Sequence, residues 1–151
     1  MGGIIEIRDR ERGGLVSLKE LLACFEHEGP NLIWSIQDLE AVGDPDKLKI
    51  DVLEIEKLAK ESPQGLVLRW QELVELAQTL TDVWNAWIVA CSYGAPIPKA
   101  IYKSEKVDQF EAVIEAFDSS FWRVFARDHS IIHRIASKFH DVRVTQIMYA
   151  D

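Results

Sequence analysis

The sequence predicts a single α/β or α+β domain: a mixed β-sheet of about seven strands with about four covering helices. Three observations carry that expectation. Through the first half of the chain, short runs rich in β-branched and aromatic residues alternate with segments whose apolar residues recur at helical spacing. In the second half, the polar triplet Asp118-Ser119-Ser120 joins two β-rich runs, and a tight turn there requires antiparallel neighbours. No repeat, low-complexity tract or linker divides residues 1–151, a length at which one hydrophobic core forms.

Taken in order, Ile4, Ile5 and Ile7 are bounded by charge and read as a short strand. Ser17 stands as an N-cap three residues before Glu20, and Leu18, Leu21, Leu22 and Phe25 continue at helical spacing, so a helix is expected over 18–28, stopped by Gly29-Pro30. Leu32, Trp34 and Ile36 alternate through a strand over 32–42 that Gly43-Asp44-Pro45-Asp46 ends. Asp51 caps a second helix with the stripe Val52, Ile55, Leu58 and Ala59. Leu66 to Leu68 form a short strand, and Trp70 to Leu80 a third helix with Leu73, Val74, Leu76, Ala77 and Leu80 turned inward. Val83 to Cys91 have the content of a central strand. Gly94, Pro96 and Pro98 then mark an irregular connection. Phe110–Phe117 and Phe121–Phe125 make the hairpin, Asp128 caps a last helix carrying Ile131, Ile132, Ile135 and Phe139, and Val142, Val144 and Ile147 close the chain as a strand.

Composition narrows the classes of function. A formal charge of −8 disfavours a phosphate backbone as partner, because such affinity comes from counterions displaced by Lys and Arg. The longest apolar stretch, near Val83 to Cys91, falls short of the ~20 residues of a membrane helix. The charged run Glu6 to Arg12 leaves no apolar core for a signal peptide, and Cys24 and Cys91 sit singly among apolar residues as reduced thiols, so the expected compartment is the cytosol, with neither nucleic acid nor membrane as partner.

No motif supplies catalysis, a cofactor or a metal. Glycines never fall in G-x-G-x-x-G or P-loop order, and Ser119 and Ser120 lack the strained elbow of a serine nucleophile. His129 and His133 lie four apart on the last helix with His140 nearby, but no Glu follows as in HExxH, and Arg127 and Arg134 flank them. The acidity is uneven: residues 1–80 hold 16 Asp and Glu against 9 Lys and Arg. Its densest part is Asp38, Glu40, Asp44, Asp46, Asp51, Glu54 and Glu56, relieved by Lys47 and Lys49, and spans a strand end, a loop and a helix start. Carboxylates gathered there would steer a basic partner. Of the five tryptophans, one left exposed beside acids would anchor such a contact.

In size, acidity, tryptophan content and mixed α/β build, the chain resembles bacterial immunity proteins, which neutralise toxins without catalysis by covering a basic site with an acidic patch. The resemblance implies an inhibitor that presents the Asp38 to Glu56 carboxylates to a basic protein partner. Two further readings stand beside it: a small enzyme with a site under the 92–105 loop, using His129, His133 or Asp118, and a homodimer built through an exposed edge strand.

Overall fold

The computed structural model describes residues 2–11, 13–47, 51–99 and 107–148. Its strands are β1 (Gly2–Ile7), β2 (Arg10–Glu11), β3 (Gly14–Leu15), β4 (Leu32–Gly43), β5 (Leu66–Arg69), β6 (Leu80–Ser92), β7 (Ala112–Phe117), β8 (Phe121–Ala126) and β9 (Val142–Met148). Four helices, α1 (Leu18–Leu22), α2 (Val52–Glu61), α3 (Trp70–Thr79) and α4 (His129–Lys138), complete the fold with short 3-10 turns. Apart from the small β2–β3 hairpin, the strands form one seven-stranded sheet in the order β5-β4-β6-β7-β8-β1-β9.

Every neighbouring pair in that sheet is antiparallel. The strand–helix alternation of the first half therefore yields a split unit: β5, α3 and β6 make a crossover between strands running the same way, and β4 lies between them. Parallel direction survives only one strand removed: the seven-stranded sheet is antiparallel throughout, and the α/β mixture lies in its combination with four helices.

Three of the four α-helices begin where a capping side chain was legible. Ser17 accepts from Glu20 N–H at 3.2 Å, Asp51 from Leu53 N–H at 2.9 Å and Asp128 from Ser130 N–H at 3.0 Å. The first helix is shorter than the expected 18–28. After Leu22 the chain tightens into a 3-10 turn over Ala23–Phe25, and the freed Cys24 carbonyl accepts from Arg134 at 2.8 Å. The same guanidinium grips both oxygens of Glu28 at 2.9 and 2.6 Å, tying the segment that follows α1 to α4.

All four helices contribute to one large core on a single face of the sheet, with Ile5, Ile7, Trp34, Ile36, Leu39, Ile88, Ile114, Trp122 and Val124 supplied by the strands. Its two fully buried indoles are satisfied: Trp34 N–H donates to Gly29 O at 3.1 Å and Trp122 N–H to Val16 O at 2.9 Å. The open face is divided. Toward one end a smaller apolar cluster of Trp87, Val89, Cys91, Val113 and Phe125 is covered by Ile97 and Phe110. Toward the other end Glu115, Arg123 and Glu6 stand opposite one another on β7, β8 and β1, an alternation of charge in which Arg123 meets the buried Glu115 at 3.5 Å. There Arg123 and Arg8 each lie 4.5 Å over the stacked rings of Phe117 and Phe121, respectively.

The hairpin forms as the sequence predicts. Asp118 and Ser119 adopt left-handed φ angles of 46° and 58°, and Ser120 N–H closes the turn on Phe117 O at 2.7 Å. Strand β6 holds this turn from the side, because Asp118 N–H donates to Asn85 Oδ1 at 2.9 Å and Ser119 N–H to Trp84 O at 2.8 Å.

Candidate functional site at the acidic edge of the sheet

Strand β5 pairs with β4 only from Ile33 to Ile36, so β4 runs on as the outer strand from there toward Gly43. Asp38 and Glu40 fall on this stretch, opposite Trp87 and Asn85 of β6. Asn85 Nδ2 donates to Glu40 Oε1 at 3.3 Å. Helix α2 packs against β4 and brings Glu56 to the same edge, with Asp51 at its N-terminus.

The charges at this edge act on one another. The Glu56 carboxyl is pushed above its ordinary value, first by partial burial and then by the carboxylates of Glu40, Asp38 and Asp51, while Lys60 pulls the other way. Asp38, Glu40, Asp51 and Glu56 therefore share one electrostatic neighbourhood. The other three residues of the acidic stretch are placed differently. Asp44 turns into the bend after β4, where its carboxylate accepts from Asp46 N–H at 2.9 Å and lies 3.9 Å from the Lys47 ammonium. Asp44 and Lys47 also line a separate recess of about 380 Å³, together with Glu11, Ser17, Thr81 and Asp82. Glu54 is exposed on the first turn of α2, and Lys49 lies outside the described residues.

A bulge in the β4–β6 ladder falls at Trp84, since Glu40 pairs with Asn85 and the next partners are Ala41 and Val83. The bulge lets Val83 and Ala86 both face the helices and leaves Trp84 44% exposed, its N–H held by Asp82 Oδ2 at 3.0 Å. An exposed, oriented indole thus stands one residue from the Asn85–Glu40 contact. Trp87, by contrast, is fully buried on the open face.

The groups expected to react beneath the 92–105 loop are not brought together. His129 and His133 lie edge to face at 4.7 Å on α4, on the helical side of the sheet. Tyr93–Lys99, the described part of that loop, seats Ile97 on the opposite side, and residues 100–105 lie outside the described residues. Asp118 sits in the hairpin turn against β6. His140 is exposed, with its backbone N–H on Asp9 Oδ2 at 2.9 Å. Among the described residues no three His, Cys, Asp or Glu side chains are grouped to hold a metal ion, and no helix is long and apolar enough to cross a membrane.

Cys24 and Cys91 are free, buried and on opposite faces of the sheet, and burial pushes both thiols up. Two anchors had no sequence signal at all. Arg134 meets Glu28 across 106 residues, and Lys99 reaches the carbonyls that end α2. No protein-family model matches the chain, and neither a curated protein nor a solved structure matches it significantly.

Proposed function

We propose that this protein is a non-enzymatic binding protein whose acidic edge, Asp38, Glu40, Asp51 and Glu56 flanked by Asp44, Asp46 and Glu54, engages a basic protein partner. One observation carries the reading: partial burial, and then the carboxylates of Glu40, Asp38 and Asp51 against the pull of Lys60, push the Glu56 carboxyl up, so four carboxylates gather at one edge and repel one another. A cationic partner relieves that repulsion and is steered to it over the range of a Debye length. Trp84 beside the edge supplies the aromatic anchor that such contacts favour. Inhibition of a bacterial toxin in the manner of an immunity protein is the role that fits this chemistry, and two free buried thiols suit the reducing cytosol.

The test is a paired capture from lysate of the source organism with the wild-type protein and the Asp38→Asn/Glu40→Gln/Glu56→Gln variant as baits. A basic protein held by the first and lost by the second, with an association rate that falls at least tenfold from low to high salt, supports the reading. A partner retained equally by both baits overturns it.

A further inference from the structure

Residues Tyr93 to Lys99 cross the open face of the sheet as a strap. Residues 93–96 are exposed, and among the described residues the backbone hydrogen bond within the strap is a local one, from Ala95 N–H to Ser92 O at 3.1 Å. Pro96 and Pro98 remove two of its donors, so it cannot extend a β-ladder. Among the described residues its seat has one buried apolar side chain and two polar anchors. Ile97 is buried against the smaller cluster of Trp87, Val89, Cys91, Val113 and Phe125. Gln37 Nε2 donates to Pro98 O at 2.8 Å. Lys99 Nζ donates to the carbonyls of Ala59 at 3.0 Å, Lys60 at 2.6 Å and Ser62 at 2.9 Å, spending all three ammonium protons on the acceptors left over where α2 ends.

We propose that this strap is a latch: release of Lys99 from the end of α2 lets it open while the main core stays folded, uncovering the smaller apolar cluster and Cys91. The two clusters lie on opposite faces of the sheet and share no buried residue, so losing Ile97 from one leaves the other packed. The far side of the cluster is fixed independently. The Arg127 guanidinium donates to the carbonyls of Asp108 and Phe110 and faces Glu111 at 3.7 Å, holding Phe110 in place when the strap lifts. Because Lys99 is anchored on the helix that carries Asp51, Glu54 and Glu56, the latch reports on α2; it stands whether or not that helix meets a partner.

The molecule contains its own reporters. Cys91 is 5% exposed beneath the strap, and Cys24 is 4% exposed in the main core on the other face. Native protein is alkylated with iodoacetamide at increasing urea concentrations, and each cysteine is followed by peptide mass spectrometry. Cys91 is expected to react with a shallow urea dependence, the mark of a small opening, while Cys24 follows global unfolding with a steep one. Lys99→Met should speed Cys91 at least tenfold and leave Cys24 unchanged. The same urea dependence for both thiols in the wild type, or equal acceleration of both by Lys99→Met, overturns the latch; if that variant does not fold, the wild-type comparison decides alone.

Discussion

Replacing Gly65 by alanine tests how the α2–β5 turn is docked on β4 at the start of the acidic edge. Gly65 has a φ of +76°, a conformation that costs a residue with a Cβ about 1 kcal/mol. A methyl group there would press into Ser35 Oγ and lie 2.8 Å from the Ile36 carbonyl oxygen and 3.0 Å from Gln37 Cγ. Ser35 cannot yield freely, because it is fully buried and its hydroxyl donates to Gln64 O; the Ile36 carbonyl belongs to the sheet. Overpacking of this kind adds about 2 kcal/mol, for a total near 3 kcal/mol. Gly13→Ala is the control, since Gly13 has φ +83° with nothing within 4 Å of a Cβ and should lose only the conformational part, about 1 kcal/mol. Urea denaturation followed by tryptophan fluorescence measures both, and a loss of about 3 kcal/mol lowers the midpoint by roughly 1.5 M at an ordinary slope. If Gly65→Ala costs no more than Gly13→Ala, the close approach of the turn to β4 is not real.

Trp122→Phe should lower stability by about 2 kcal/mol in the same assay, because it strands the Val16 carbonyl that the indole N–H meets at 2.9 Å in the core. Glu56→Gln should raise the melting temperature at neutral pH: the folded-state carboxyl is pushed above its unfolded value, so ionisation costs stability as pH rises through that window. The gain should vanish in scans below the ordinary glutamate range. Asp128→Ala should cost about 1 kcal/mol at neutral pH by removing the α4 cap. Here the sign is opposite, since the Ser130 hydroxyl holds the Asp128 carboxyl below its ordinary value, so the cap's contribution is full above the unfolded aspartate pKa and is lost as pH falls through the lowered one.

Much of the secondary structure was legible because it depends on neighbours in sequence. Ser17, Asp51 and Asp128 each cap within three residues, and the hairpin turn at Asp118 needs only its own four residues and a strand on either side. Strand order was not legible, since nothing local says that β4 inserts between β5 and β6 or that β1 returns between β8 and β9. The bulge at Trp84 resets the facing of β6, which strict alternation from Trp84 to Trp87 cannot foresee. The acidic stretch could be counted from the sequence, but only the fold divides it. Glu56 joins Asp38 and Glu40 through helix packing, while Asp44, six residues beyond Asp38, turns toward Lys47.

The acidic edge can be probed without knowing the partner by titrating ¹⁵N-labelled protein with an octalysine peptide and following amide shifts. The account predicts low-salt changes concentrated at Asp38–Glu40, Asp51–Glu56 and the Trp84 indole, all abolished by high salt and by the Asp38→Asn/Glu40→Gln/Glu56→Gln variant. Shifts spread evenly over the surface, or centred on the Glu11, Asp44 and Asp82 recess instead, would contradict it.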